Sequence, residues 1–542
     1  MNRKKNRQIW DKLALHAEVL KTVHLNDLFN ANANRFRQLS FQLDNHLFDF
    51  SKNFLTEETL GLFDELAQSL DLSKQIDHLF QGKTCAMGNN PIGLHTALRC
   101  QENKELLIDG HNLTQEIRQE LKHMKVFIDQ VLTGHWRGFS NKIITDVINI
   151  GIGGSYLGPL LLTETLTSYR TRLKVHFISS ADGIHSFQLT RQLNPETTLF
   201  IIVSKTFTTK ETLINANHLL KWFNEATGRS PFERHVIGVS ANAALMHSFG
   251  IPKDNQFYLW DCIGGRFSIW STVGLVSALA IGFEHFSQFL LGGYLVDQHF
   301  RKTDFKHNIP CILALLDFFY IQYWNTQTHA ILPYHSYLRQ FPAYLQQLSM
   351  ESLGKSVTRA AKAIDYPTGN IIWGELGSNG QHAFFQLLHQ GKLFIPIDLL
   401  VPMHLEHQQV EFTRFILANA LAQSQALMQG KSREAVYQEM LLANFSVEEI
   451  KQLLPHRIYP GNRPSTTILL ANLTPKTLGQ ILAIYEHKIF VQSVIWNINP
   501  FDQWGVELGK ELADKYLHCL QNDEKKIDDE TINYIKNFLN SR

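Results

Sequence analysis

The chain has 542 residues, 44% apolar and 19% charged, so it can bury a sizeable core and is not disordered by composition. Its 51 basic and 50 acidic side chains leave a net charge of +1, and no global field draws it to nucleic acid or an anionic membrane. Five scattered cysteines (Cys85, Cys100, Cys262, Cys311 and Cys519), odd in number and without a CxxC pair, argue against a disulfide framework or zinc module and fit a reducing compartment.

Along the chain, MNRKKNRQIWDKL carries positive charge with no apolar stretch behind it, unlike a secretory signal. The longest apolar runs, CILALL before Asp317 and TVGLVSALAIGF, are too short to span a bilayer, so a cytoplasmic protein without membrane contact is expected. Residues 1–120 read as helical, with LTEETLGLFDELAQSL (55–70) showing a threonine N-cap and helical spacing of apolar residues. From about residue 143 the pattern changes. IITDVINI, LKVHFISS, TTLFIIVS and RHVIGVSA are short β-branched runs, separated by stretches such as ETLINANHLLKWFNEATG, which predicts a parallel sheet covered on both faces. A helical, aromatic region follows over 270–350. A second αβ region then comprises GNIIWG, a helix in GSNGQHAFFQLLHQG (377–391), the strand KLFIPIDLL and a helix through FTRFILANALAQSQALMQG. The charge run DEKKIDDE and the amphipathic NYIKNFLN predict a terminal helix or arm.

Three small-polar segments follow predicted strands. In NIGIGGSYLGP (149–159) a dinucleotide fingerprint fails, because Tyr156 stands where the last glycine is needed. Gly151, Gly153, Gly154 and Ser155 remain at a strand-to-helix turn, where backbone N–H groups converge on an anion, or where glycine serves the turn alone. In SKTFTTKET (204–212), Ser204, Thr206, Thr208 and Thr209 set four hydroxyls at a strand's carboxyl end, suited to a phosphate monoester, with a plain threonine cap as the alternative. No Walker GK[ST] is present. In DCIGGRFSIWSTVGL (261–275) two glycines place Arg266 before an apolar helix, where it can meet an anion. Glu351, late in a predicted helix, reads by itself as a solvated residue. His404 and His407, three apart with Glu406 and Glu411 nearby, are a weak metal candidate, and no metal is expected.

His382 is harder to read. At about 100° per residue, Ala383, Phe384, Leu387 and Leu388 share one helix face, and His382, Gln386 and His389 share the other. A place in the first turn favours a neutral imidazole, which suits acid–base exchange and a capping histidine equally.

DCIGGRFSIWSTVGL and FDQWGVELGK (501–510) resemble the two signature segments of the glucose-6-phosphate isomerase family. GxWxG (134–138), NIGIGGSYLGP, SKTFTTKET, QQLSMESLGK, GELGSNGQHAFFQLLHQG and LANALAQSQALMQG agree as well, in family order from about residue 95 to 510. The resemblance implies an α/β fold of two αβα sandwich domains of the sugar-isomerase (SIS) type with parallel-rich sheets, plus an N-terminal helical segment and a C-terminal helical arm. The corresponding boundaries are 1–118 for the helical part of the large domain, 119–280 for the small domain, 281–510 for the large domain and 511–542 for the arm. It implies reversible aldose–ketose isomerisation of glucose 6-phosphate and fructose 6-phosphate, through ring opening and a cis-enediol, with no cofactor. Residue by residue, it makes Gly154, Ser155, Ser204, Lys205, Thr206 and Thr209 phosphate-binding positions, and Gln347 and Gln503 substrate contacts. Glu351 becomes the base at carbons 1 and 2, Arg266 the enediolate's cation, and His382 with Lys510 the ring-opening pair. It also implies a homodimer in which His382 serves the neighbouring subunit. Asn89 and Pro91 depart from the family's acidic–arginine pair before LHxALR; Tyr156, Lys210 and Leu353 depart from a usual aspartate, glutamine and asparagine. A non-catalytic sugar-phosphate sensor would keep the hydroxyl loops and lose the acid–base groups. An isomerase acting on mannose 6-phosphate is the rival enzyme, disfavoured by the two full signatures.

Overall fold

The computed structural model describes residues 3–83, 93–102, 105–108, 110–404, 410–521 and 530–540. They form two compact units, residues 1–500 and 501–542.

Besides a two-stranded pair, Leu107–Ile108 with His111–Asn112, the described residues of the first unit form two larger sheets. Strands β1 (Ser40–Leu43) and β2 (His46–Asp49) form an N-terminal hairpin. Strands β3 (Asp146–Ile150), β4 (Lys174–Ile178), β5 (Thr198–Val203), β6 (Val236–Ser240) and β7 (Gln256–Tyr258) pair in parallel in the order β4-β3-β5-β6-β7. Every residue of β5 and β6 is buried, as continuous apolar runs in a doubly covered sheet require. Strands β8 (Thr328–Pro333), β9 (Ile371–Trp373), β10 (Ile397–His404) and β11 (Ser465–Asn472) are parallel too. With the hairpin they make a six-stranded sheet in the order β1-β2-β11-β10-β8-β9, β2 antiparallel to β11.

In both sheets the first parallel strand sits between the second and the third. The strand order therefore reverses there, and in open α/β sheets ligands settle at the carboxyl ends beside such a reversal. The β1–β2 hairpin and β8 lie inside stretches that pattern as helical. Both are short apolar segments, which period alone does not separate from buried helix. The Thr56 N-cap is present, with Thr59 completing a reciprocal capping box.

The Pro475–Trp496 helix runs through the core of the unit, almost wholly buried, and several of its polar side chains are paired. Glu486 accepts from Arg99 (2.5 Å) and Trp270 (2.7 Å), and His487 meets Asp297 at 2.7 Å. Lys488 pairs with Asp317 at 2.7 Å, and Tyr485 donates to Asp398 at 2.8 Å. His329 stands between two carboxylates, 2.7 Å from Asp317 and 3.2 Å from Asp398. Burial lowers its pKa, but the charges of Asp317 and Asp398 outweigh burial and raise it to about 9.

The second unit has a short turn, Trp504–Val506, and the helices Glu507–Gln521 and Glu530–Asn540. The DEKKIDDE run lies outside the described residues except for Glu530. Among the described residues no helix is long and apolar enough to cross a membrane.

Candidate active site

The glycine segment leaves β3 at Ile150 and enters the Gly154–Thr165 helix. Buried Asn149 donates through Nδ2 to the Ser155 carbonyl at 3.0 Å, tying the strand's end to the helix's first turn. Gly153 holds φ +58° and ψ −124°, a backbone that side-chain-bearing residues rarely adopt. At Gly154 a Cβ would lie 2.0 Å from the Gly265 carbonyl oxygen. Glycine at 154 therefore lets the helix start close against the segment bearing Arg266, beyond any turn requirement. That helix carries no side-chain cap, which leaves its N-terminal end suited to an anion.

The hydroxyl loop follows β5. Ser204 is buried, its Oγ 3.0 Å from the Thr209 hydroxyl, and the Thr206 and Thr208 hydroxyls are 2.7 Å apart. Thr209 holds the N-cap position of the Lys210–Thr227 helix but makes no side-chain cap bond. Its hydroxyl turns back to Ser204, so a plain threonine cap does not account for this loop. Lys205 Nζ donates to the Asp261 carbonyl at 2.8 Å, and burial lowers its pKa. The two loops thus flank the β3/β5 reversal, and the third segment leans against both.

Arg266 sits in a 3-10 stretch, Gly265–Trp270, with its side chain only 1% exposed. Nε donates to Ser352 Oγ at 2.7 Å, Nη2 donates to the Pro500 carbonyl, and Nη1 lies 3.4 Å from Glu351 Oε2. Glu351 ends a π-helical turn, Gln347–Glu351, a distortion frequent at functional sites. The Glu351 side chain keeps 24% of its surface open, so the carboxylate faces accessible space beside an enclosed cation. A Cβ on Gly153 would meet Gln347 Nε2 at 3.1 Å, which sets Gln347 against the glycine loop. A carboxylate next to a fixed guanidinium can take a proton from carbon while the charge left on oxygen is stabilised. The structure thus brings the glycine turn at Gly154 and Ser155, Gln347, Glu351 and Arg266 close together, with the loop of Ser204, Lys205, Thr206 and Thr209 tied to the Arg266 segment through Lys205.

His382 is a correction. A one-turn helix, Gly377–Gln381, ends at His382, which is its C-cap, and a second helix begins only at Phe385. The buried residues are Phe385 and Leu388, whereas Leu387 is 42% exposed, so the single-helix face does not form. The break has a packing cause. Phe384 crosses Trp373 edge-on at 4.8 Å and leaves helical backbone at φ −138°. The first-turn argument for a neutral ring therefore fails. The His382 ring is exposed and makes no hydrogen bond or ion pair among the described residues. His389 bonds Gln423 at 2.9 Å and packs on Tyr459, a structural position.

Lys510 and Gln503 belong to the second unit, where Lys510 pairs with Glu507 at 2.9 Å. Asn89, Pro91, Glu406 and His407 lie outside the described residues. Among the described residues no three His, Cys, Asp or Glu gather as a metal site. Tyr156 packs edge-on to Phe177, Lys210 is exposed and Leu353 is buried at 1%. Sequence reasoning missed Asn149 and Ser352. A lone asparagine in the apolar strand DVINI was a readable signal for the first, and nothing marked the second.

A phosphoglucose isomerase family model matches residues 49–534. Glucose-6-phosphate isomerase 2 of Chromobacterium violaceum is 45% identical over 517 residues, covering 95% of this chain and 94% of the relative. Glucose-6-phosphate isomerase of Blochmanniella floridana is 45% identical over 542 residues, 97% of each chain. Among solved structures, a glucose-6-phosphate isomerase from Chlamydia trachomatis superposes with a TM-score of 0.84 at 28% identity, covering 98% of both chains.

Proposed function

The chain belongs to the phosphoglucose isomerase family, and from that premise we propose how its own residues interconvert glucose 6-phosphate and fructose 6-phosphate. The observation that carries the reading is the Glu351–Arg266 pair, 3.4 Å apart at the edge of the hydroxyl and glycine loops.

The phosphate is held by Ser204, Thr206 and Thr209 with Lys205, and by the N-terminal ends of the helices that begin at Gly154 and Lys210. Gln347 and Gln503 contact the sugar. Glu351 takes the proton from one of carbons 1 and 2 of the open chain and returns it to the other. Arg266 stabilises the oxygen charge of the cis-enediolate. One carboxylate suffices for the aldose–ketose shift, and no redox cofactor is needed. His382 and Lys510 open the sugar ring, with His382 serving the site of the other subunit of a homodimer. The exposure of His382 at a helix end supports that placement, and the exposed Leu508, Leu520, Tyr534 and Leu539 of the second unit support a covering partner surface. The division into 1–118, 119–280, 281–510 and 511–542 is supported by the separate sheets and by the hairpin at 40–49, which joins the sheet of the large domain.

The test is a coupled assay with glucose-6-phosphate dehydrogenase on the purified full chain. Fructose 6-phosphate should be converted without added metal; phosphosugar binding without turnover would sink the enzymatic reading.

A further inference from the structure

Arg266 is held more firmly by its neighbours than by the carboxylate it faces. Its Nε–Ser352 bond is 2.7 Å, its Nη2 is bound by the Pro500 carbonyl, and its distance to Glu351 is 3.4 Å. A relaxed guanidinium–carboxylate pair closes to about 2.7–2.9 Å and turns its fork onto both oxygens. We infer that Ser352 is a positioning residue: its hydroxyl, with the Pro500 carbonyl, tethers Arg266 beside Glu351 and keeps the two from closing into a bidentate ion pair. The inference rests on the reading of Glu351 as base and Arg266 as its cation.

Three observations carry it. Ser352 is wholly buried, and removing its oxygen leaves a buried Nε–H without that acceptor. The π-helical turn delivers the two neighbours to two edges of one guanidinium, Glu351 to Nη1 and Ser352 to Nε. Ser352 and Pro500 each offer a neutral oxygen, so neither of these two contacts cancels the cation's charge.

The consequence is chemical. A carboxylate gripped by a bidentate arginine is stabilised as the anion and takes up a proton less readily. The same arginine, satisfied by Glu351, has less to give to the charge developing on the substrate's oxygen. Holding the pair apart preserves both functions. The elements packed most closely on the Gln347–Glu351 turn are the Phe341–Gln346 helix, β9 and the Gly265–Trp270 stretch. Their titratable or charged residues are Arg266 and Tyr344, and burial holds Tyr344 neutral. Arg266 is therefore the charge through which Ser352 reaches Glu351.

The experiment compares pH profiles of kcat and kcat/KM for the full-length wild type, Ser352→Ala and Ser352→Cys in the coupled assay, with thermal melts alongside. Cysteine fills the serine volume, being slightly larger, but is a weak acceptor. Both variants should lose about tenfold in kcat with KM changed less than about twofold, and the acidic limb of kcat/KM should move down by about half a unit or more. An acidic limb that stays in place overturns the tether, and so does a Ser352→Cys profile restored to wild type, which would mean that packing alone matters. Should Ser352→Ala fail to fold, Ser352→Cys carries the test. Glu351→Gln separates the two levels. If it is dead while the Ser352 variants keep wild-type profiles, only the tether falls; if it stays active, the base assignment falls with it.

Discussion

Arg266 and Glu351 carry opposite charges 3.4 Å apart, and their surroundings differ accordingly. The arginine is enclosed and bonded to the Ser352 hydroxyl and the Pro500 carbonyl, while the carboxylate is partly open. Arg266→Lys keeps the charge but loses the fork that reaches Ser352 and Pro500 together. It should lower kcat by about 10²–10³ in steady-state assays, in the range of losing one preorganised stabiliser. A near-wild-type kcat would show that charge alone suffices. Gly154 makes a sharper structural prediction. A Cβ there would stand 2.0 Å from the Gly265 carbonyl, so Gly154→Ala must push apart the helix start and the Arg266 segment. Thermal melts should show about 1–3 kcal/mol of destabilisation, the usual cost of overpacking, together with reduced activity. At this scale sequence alone singled out the hydroxyl and glycine loops, because small polar residues directly after β-branched runs mark strand ends where turns, caps and anion sites form. Glu351 stood unmarked until the family resemblance gave it a role, and Ser352 stayed hidden because its contact to Arg266 spans 86 positions.

Among the elements, the buried charge cluster where the Pro475–Trp496 helix meets β8, β10 and the Ile309–Tyr323 helix makes the fold's stability depend on pH. His329 is raised to about 9 against an ordinary value of 6.5, so its contribution to stability is complete below pH 6.5 and is lost as pH rises through about 9. Asp317 and Asp398 are lowered from their ordinary value, and their contribution goes the other way, present above about pH 4 and lost in acid. Melting temperature should therefore fall between pH 7 and 10, and His329→Gln should flatten that alkaline limb; an equal slope in the variant would assign it to another group. Removing the cation by Lys488→Met leaves two buried carboxylates, Asp317 and Asp398, with His329 as their one remaining cation among the described residues, and should cost about 3–5 kcal/mol by chemical denaturation. The long periodic helices were legible element by element, from Lys210–Thr227 with its glycine C-cap to Val410–Gln429. The stretch around His382 was not, because aromatic packing of Phe384 on Trp373 overrides helical periodicity there.

For the whole molecule, two sheets with the same reversal of strand order explain why chemistry gathers at carboxyl edges and not across the entire surface. The alternation of strands and helices was enough to predict parallel sheets. The incorporation of the N-terminal hairpin into the distant sheet was not, since its partner strand β11 lies more than four hundred residues on. The proposed sharing of sites between subunits makes a prediction at this scale. Inactive His382→Ala and inactive Glu351→Gln chains, mixed and allowed to exchange subunits, should regain activity, because some hybrid sites receive both intact residues. No recovery after verified exchange would contradict a histidine given across the interface.

The central claim is that Glu351 moves the proton. Its most direct test is the rate of fructose 6-phosphate isomerisation by Glu351→Gln beside wild type, with phosphosugar binding measured on both. The expected result is a loss of about a thousandfold or more in kcat, with binding retained, since amide for carboxylate keeps shape and removes basicity. A variant that binds substrate and turns it over near the wild-type rate would contradict the account.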